Sequence, residues 1–127
     1  PWGESSGHDS YVVYGSNAPH TSTVLRFFGF VVKSNNKIYA TYRESATSLI
    51  EVELSGIAYT TSHIYRAEVI NGGTTIRFYV DGTLMHTAAP GWILWDSDYL
   101  FAISNKTLAG FANVTSVYSN FLIQQDF

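Results

Sequence analysis

The sequence predicts an all-β protein: a two-sheet antiparallel β-sandwich of about ten strands. Aromatic residues make up 16% of the chain and charged residues only 13%, and β-branched residues are frequent, a composition that favours strands over helices. Apolar and polar residues alternate along many short segments, which is the period of a strand with one buried face. Turn-forming residues separate these segments at hairpin spacing, and no segment has the pattern of a helix.

The length predicts a single domain over residues 1–127, because a chain of 127 residues buries roughly two-thirds of its unfolded surface in one core. Residues 1–23 are rich in Gly, Ser, His and Pro, so we expect a loop-rich N-terminal part with one edge strand at 10–14. The chain begins with Pro1 and not with methionine, which predicts a processed N-terminus or a piece of a longer polypeptide.

The first half of the chain predicts a series of strands joined by polar turns. Residues 23–33 are apolar on both faces, which is typical of a central strand. Within that segment, Gly29 predicts a bulge or the close approach of another backbone. Polar residues at 34–37 predict a turn. The strands predicted here occupy 10–14, 23–33, 38–44 and 49–54.

Residues 62–87 show the clearest pattern, with three strands and two tight reversals. Asn71-Gly72-Gly73 and Asp81-Gly82 supply residues that tolerate positive φ, as hairpin turns require. Asp81 is therefore interpreted as a turn residue. The alternation predicts that one set of apolar side chains in this segment points inward. Val52 and Leu54, from the predicted strand at 49–54, are expected to point the same way. The residues expected to be buried are Val52, Leu54, Tyr65, Val69, Ile76, Phe78 and Val80.

The C-terminal third begins with a break at 88–91 and an aromatic loop or short strand at 92–98. We expect a strand at 99–104, a loop at 105–110 and a long final strand at 113–124 with a bulge.

The pattern His-x-Tyr-Arg at 63–66, followed by a polar turn and Ile-x-Phe-Tyr-Val-Asp-Gly at 76–82, resembles the central hairpins of the concanavalin A-like lectin/glucanase superfamily. That superfamily includes laminin-G-like modules and retaining β-glucanases. The resemblance implies a concanavalin A-like jelly roll more than an activity, because these positions are mostly scaffold in the family. The match is carried by His63, Tyr65, Arg66, Phe78, Tyr79, Val80, Asp81 and Gly82.

The resemblance also places residues 49–56 where retaining β-glucanases carry their catalytic strand. Glu51 and Glu53 are two residues apart and share one face of a strand, and retaining hydrolysis uses two carboxyl groups about 5–5.5 Å apart. However, Ser55 or Gly56 stands where the family has its acid/base glutamate, and Glu53 replaces its middle aspartate. We therefore expect no catalytic residue and two solvated glutamates. The side chains expected to point inward on this strand are Ile50, Val52 and Leu54.

The best candidate ligand-binding residues lie in one aromatic segment. Aromatic faces stack on sugar C–H surfaces, and neighbouring carboxylates accept hydrogen bonds from sugar hydroxyls. Alternatively, the tryptophans close the end of the core. The two aspartates could also contribute to a calcium site, the one cofactor left open. No other metal is expected, because the chain has no cysteine and its histidines lack zinc-like spacing. The candidate ligand-binding residues are Trp92, Trp95, Asp96, Asp98 and Tyr99.

Charge and composition limit the classes of partner and the cellular location that we expect for this protein. The net charge is −3 and the seven Lys and Arg residues are dispersed, which argues against nucleic acid and anionic lipid. No apolar run approaches the ~20 residues that span a bilayer, so no membrane insertion is expected. Low lysine content and the sequons at Asn105 and Asn113 favour an extracellular, cell-surface or virion-surface location.

These observations favour a non-catalytic recognition module that is carbohydrate-binding or adhesive, with a carbohydrate or glycoprotein as its partner. One alternative is a structural or assembly subunit of a capsid, fibre or filament, which would self-associate through its weakly charged surface. A second alternative is a glycoside hydrolase of the retaining β-glucanase type. It requires a third carboxylate that converges with Glu51 and Glu53.

Overall fold

The computed structural model describes residues 8–15, 27–43, 49–71, 74–90 and 100–107. Within these ranges the chain is all-β, with negligible helix and two antiparallel sheets. The strands are β1 (His8–Gly15), β2 (Phe27–Val32), β3 (Ile38–Arg43), β4 (Leu49–Glu53), β5 (Tyr65–Ile70), β6 (Thr75–Val80), β7 (Thr83–Ala88) and β8 (Leu100–Thr107).

The larger sheet has five strands in the order β4-β3-β2-β1-β8. Its centre confirms the prediction of a central strand in the segment that contains β2. The expected edge strand at 10–14 is wrong, because β1 lies between β2 and β8, with Tyr11 opposite Val31 on one side and Ser104 on the other. The local sequence pattern does not predict the pairing of β1 with β8, because the two strands are far apart in the sequence. The β8 strand also continues to Thr107, beyond the predicted end at 104.

The smaller sheet has three strands in the order β5-β6-β7 and confirms the meander predicted from residues 62–87. Asp81 and Gly82 adopt positive φ values of 51° and 80°, and Asn71 has a φ of 53°. Two consecutive residues with positive φ form the tight turn whose twist matches that of a β-hairpin. A register shift opposite Phe78 and Tyr79 places a bulge between β6 and β7.

The two sheets pack against each other through one hydrophobic core, a sandwich-like arrangement. Phe30 from the larger sheet meets Phe78 from the smaller sheet edge to face, with ring centroids 5.6 Å apart. Tyr42 stacks on the same Phe78 ring at 6.0 Å. The buried core residues are Phe30, Val32, Ile38, Ala40, Tyr42, Leu54, Ile76, Phe78, Val80 and Ala88.

Of the seven residues predicted to be buried, four are buried, two are half-buried and one is exposed. Val69 is 36% exposed, so its predicted burial is wrong. It lies on β5, an edge of the described sheet, where a side chain has a strand neighbour on one side only. Val52 and Tyr65 are half-buried. The prediction is confirmed for Leu54, Ile76, Phe78 and Val80.

The larger sheet is also buried on the face that points away from this core. Val13, Phe27 and Val31 are at most 1% exposed there and form a second hydrophobic cluster with Tyr11. Gly29 belongs to the same face, and a Cβ on it would meet the Val12 carbonyl oxygen and the Val13 backbone. The predicted close approach of another backbone at Gly29 is therefore confirmed. We call this side of the five-stranded sheet the outer face.

Candidate functional site

The candidate ligand-binding residues of the aromatic segment lie outside the described residues, since the described ranges stop at 90 and resume at 100. The predicted calcium contribution of Asp96 and Asp98 falls in the same gap. The predicted strand at 113–124 also lies outside the described residues, whose last range ends at 107. The residues concerned are Trp92, Trp95, Asp96, Asp98 and Tyr99. In the described ranges, polar side chains converge at three other places.

The first place is reached from β4. Ile50 and Leu54 pack toward the core between the sheets, so Glu51 and Glu53 lie on the outer face. This confirms the predicted direction of Ile50 and Leu54. The expectation that both glutamates are freely solvated is wrong for Glu51, because its side chain is only 21% exposed and pairs with Lys33.

Lys33 joins two carboxylates from different strands. Its Nζ lies 3.0 Å and 3.1 Å from the two carboxylate oxygens of Glu51 and 3.3 Å from Asp9 Oδ2. We call Asp9, Lys33 and Glu51 the Lys33 cluster. The sheet register creates it: Ser10 pairs with Val32, so the next residues, Asp9 and Lys33, sit side by side where β1 begins and β2 ends.

The turn after β2 completes the surroundings of Asp9. The Ser34 backbone N–H donates to Asp9 Oδ1 at 3.0 Å, while Oδ2 faces Lys33. Asn36 adopts a φ of 62° and its N–H donates to the Lys33 carbonyl, which closes the turn. Both oxygens of Asp9 are thus engaged in a partly buried site, where an ion pair is screened less than on an open surface.

Electrostatics keep the neighbouring groups in their ordinary protonation states. Burial raises the pKa of Tyr11, which keeps the phenol protonated. For Lys33, burial lowers the pKa, but the Glu51 hydrogen bond and the charges of Glu51 and Asp9 raise it, and the net direction is upward. In this ion-paired arrangement, Lys33 is therefore an ammonium.

Further polar groups lie around this cluster on the outer face. Lys37 pairs with Glu53 at 3.3 Å in an exposed ion pair, and Asn35 Nδ2 donates to the Tyr39 hydroxyl at 2.9 Å. Thr41 lies opposite Glu51 in the register, fully buried, and its Oγ1 has no hydrogen-bond partner among the described residues. The outer face thus carries hydroxyl, amide and ionic groups beside its apolar cluster.

The second place is where the segment that links the two sheets, residues 54–64, contacts the β6–β7 turn at 81–82. His63 Nδ1 lies 2.6 Å from Asp81 Oδ2, and Asp81 Oδ1 accepts the Ile64 N–H at 2.9 Å. The hydrogen bond from His63, and then that from the Ile64 backbone, lowers the pKa of Asp81. On the other side of the ring, His63 Nε2 lies 2.7 Å from Thr61 Oγ1.

The order hydroxyl, imidazole, carboxylate at Thr61, His63 and Asp81 does not produce an activated nucleophile. Thr61 Oγ1 donates to the Ala58 carbonyl at 3.1 Å, and His63 Nε2 also lies 3.1 Å from that oxygen. The network therefore holds a turn in place. The interpretation of Asp81 as a turn residue is consistent with this geometry.

Two further resemblance positions, Arg66 and Tyr79, form a surface network with Glu68 on the smaller sheet. The Arg66 guanidinium lies 3.9 Å from the centre of the Tyr79 ring, a cation–π contact. The Tyr79 hydroxyl donates to Glu68 Oε1 at 2.8 Å, and Arg66 pairs with Glu68 at 3.0 Å. The polar groups of Arg66, Tyr79 and Glu68 are thus engaged in contacts with one another.

Across the described ranges, no three His, Cys, Asp or Glu side chains are grouped so that they could hold a metal ion. No helix in this part of the chain is long and apolar enough to cross a membrane.

Sequence reasoning did not single out Asp9 or Lys33. Each lies at the end of a strand, a common place for a charged residue. Their convergence with Glu51 depends on the pairing of β1, β2, β3 and β4. Comparison with known proteins adds no further assignment: no protein-family model matches the chain, and no curated protein matches it significantly.

Proposed function

We propose that this chain is a non-catalytic, carbohydrate-binding recognition module with a concanavalin A-like jelly-roll fold of about ten strands, carried by an extracellular, cell-surface or virion-surface protein. Two packed antiparallel sheets are compatible with that fold. Support also comes from His63 and Asp81, two residues of the resemblance, which act as scaffold by tying the connection between the sheets to a hairpin turn.

One observation carries the non-catalytic part of the proposal: both carboxylate oxygens of Glu51 contact Lys33 Nζ. A retaining glycosidase needs one carboxylate free to attack the sugar and a second carboxyl group to protonate the leaving oxygen. Glu51 is bound to an ammonium, and Glu53 pairs with Lys37. Neither glutamate is poised as the nucleophile.

The ligand-binding part of the proposal rests on the sequence. A neutral sugar is recognised by stacking surface and by convergent hydrogen-bonding groups. The segment from Trp92 to Tyr99 combines three aromatic rings with two carboxylates. We propose that it binds the sugar, and that any calcium acts through Asp96 and Asp98.

A glycan-array screen followed by titration of the best ligand tests this function. Trp95→Ala should weaken binding by about 2 kcal/mol or more and leave the melting temperature nearly unchanged. Tyr79→Ala is the matched control, because it removes an aromatic ring from the smaller sheet and should retain affinity. Chelation of calcium during the titration tests whether the ion contributes.

Two results would contradict the proposal. A wild-type protein that binds no glycan would overturn the function itself. A large fall in the melting temperature of Trp95→Ala with unchanged affinity would show that the ring belongs to the core, and would remove this segment from the site.

The glycoside hydrolase alternative gains one observation, because Asp9 is a third carboxylate that approaches Glu51 through Lys33. We expect no hydrolysis, since the Lys33 ammonium is bound to both carboxylates. Release of reducing sugar from a β-glucan that disappears in Glu51→Gln would establish the hydrolase instead.

The assembly alternative is favoured by two exposed apolar side chains. Ile64 is 74% exposed and Leu84 is 48% exposed, and large apolar side chains at a surface can mark a contact between copies. Light scattering over a range of concentrations separates the two functions. A recognition module keeps a constant mass, whereas an assembly subunit grows as concentration rises.

A further inference from the structure

The Lys33 cluster brings together the groups needed to form an amide bond between two side chains. Lys33 supplies an amine, and its Nζ lies 3.3 Å from Asp9 Oδ2. Asp9 supplies a carboxyl group whose other oxygen, Oδ1, accepts the Ser34 backbone N–H at 3.0 Å. A donor in that position stabilises the negative charge that develops on a carboxyl oxygen when a nucleophile attacks its carbon.

The third group is a proton carrier. Glu51 lies on β4, and its two oxygens are 3.0 Å and 3.1 Å from Lys33 Nζ. A carboxylate in this position can accept a proton from the ammonium and later release it. The side chains of Asp9, Lys33 and Glu51 are only 13%, 25% and 21% exposed. Partial exclusion of water favours the uncharged amide over a desolvated ion pair.

We propose that Lys33 and Asp9 condense into an intramolecular isopeptide bond, with Glu51 as the proton carrier. The bond would join the start of β1 to the residue that follows β2. The proposal does not depend on carbohydrate binding, because none of its three residues belongs to the proposed ligand-binding segment.

The reaction balances without any other reagent. The Lys33 ammonium gives one proton to Glu51, and the neutral amine attacks the Asp9 carboxyl carbon to form the N–C bond. The bond from that carbon to Oδ2 breaks. Oδ2 leaves as water, having received both protons lost by Nζ, one of them through Glu51. An ammonium and a carboxylate become an amide and water, and Glu51 ends in its starting state.

Such a bond would have a structural use in this chain. The protein has no cysteine, so no disulfide can cross-link its strands. A covalent link between residues 9 and 33 closes a loop in the unfolded chain and lowers its conformational entropy, as a disulfide does. It would also fix the register of β1 against β2 in the larger sheet.

Mass spectrometry of the intact, denatured protein tests the proposal. The expected mass is lower than that of the sequence by one water. After proteolysis, one branched peptide should contain both Asp9 and Lys33, and trypsin should not cleave after Lys33. A mass equal to that of the sequence in the fully folded protein overturns the proposal.

Variants assign the roles. Lys33→Arg and Asp9→Ala should each restore the full mass. Glu51→Gln should slow or prevent the loss of water, and an undiminished loss would overturn its role as proton carrier. Lys37→Arg is the matched control, because Lys37 and Glu53 form an exposed ion pair that no third charged group of the described ranges joins. This variant should keep the wild-type mass deficit. Circular dichroism of each variant confirms that it folds.

Discussion

His63 Nδ1 lies 2.6 Å from Asp81 Oδ2, and this contact fastens the connection between the two sheets to the β6–β7 turn. Asp81 also exchanges two hydrogen bonds with Ile64: its Oδ1 accepts the Ile64 N–H, and its own N–H donates to the Ile64 carbonyl at 2.8 Å. One turn residue thus positions the chain just before β5 enters the smaller sheet.

Asp81→Asn should lower the melting temperature at neutral pH, because the neutral amide accepts weaker hydrogen bonds than the carboxylate. The pKa of Asp81 is lowered in the folded protein by the hydrogen bonds from His63 and Ile64. Its stabilising contribution is therefore full above the ordinary value of 3.8 and is lost as pH falls through the lowered value. Melting curves across the acid range measure this effect.

The matched control for that variant is Glu53→Gln, which neutralises a carboxylate in an exposed ion pair with Lys37. It should change the melting temperature little, as is usual for surface pairs. An Asp81→Asn protein with the wild-type melting temperature at every pH would show that the His63 contact does not stabilise the fold.

Phe78→Ala should destabilise the protein by about 3–5 kcal/mol, the usual cost of removing a buried aromatic ring. Phe78 is fully buried and contacts Phe30 and Tyr42 from the opposite sheet, so its loss opens a cavity between the sheets. Urea unfolding measures the change. Leu84→Ala is the control, since Leu84 is 48% exposed and should change stability by no more than about 0.5 kcal/mol. Equal effects of the two substitutions would contradict the core described here.

The sequence predicted the smaller sheet well because its determinants are local. Alternation from Tyr65 to Val80 and the positive-φ residues at the two turns specify adjacent strands that pair directly. The larger sheet depends on contacts between distant segments, and β1 pairs with a strand more than eighty residues later. A local pattern does not encode that pairing, so the sequence alone predicts an edge position for β1.

The same limit applies to the candidate sites. The spacing of Glu51 and Glu53 identifies them as a candidate pair. The pattern does not show that Lys33 forms an ion pair with Glu51. Asp9 lies next to Lys33 because of the register in which β1 pairs with β2. The aromatic segment around Trp95 lies outside the described residues, so its role stays a prediction.

His86 should make stability depend on pH above the acid range. Its ring stacks with Tyr42 and Phe78 in the core, with centroids 6.3 Å and 6.1 Å away. Its buried Nε2 has no hydrogen-bond partner in the part of the chain that the structure describes. Burial lowers the pKa of His86. The unfolded chain therefore binds the proton more tightly, and stability should fall as pH drops through the ordinary value of 6.5 toward the lowered value.

Urea midpoints measured from about pH 8 to about pH 5 test this dependence. His86→Phe keeps an aromatic ring in the stack but cannot titrate, so its midpoint should vary less over that range. A variant that retains the full wild-type slope would assign the pH dependence to other groups.

Gly29→Ala should destabilise the larger sheet at its centre. The new methyl group would meet the Val12 carbonyl oxygen and lie 2.7 Å from Val13 Cα and 3.0 Å from Val13 Cγ1. Backbone atoms of a paired central strand cannot move away without breaking the ladder between β1 and β2, so we expect a loss of about 1–3 kcal/mol or more, the usual cost of overpacking. Urea unfolding again measures the change.

The double variant Gly29→Ala with Val13→Ala separates two causes of that loss. If the Val13 side chain caused the clash, removing its two methyl groups would relieve it, and the double variant would be as stable as Val13→Ala alone. Because the nearest atoms belong to the backbone of Val12 and Val13, we expect no such rescue. A neutral Gly29→Ala substitution would mean that Gly29 does not lie against Val13, and the register of β1 on β2, on which the Lys33 cluster depends, would be wrong.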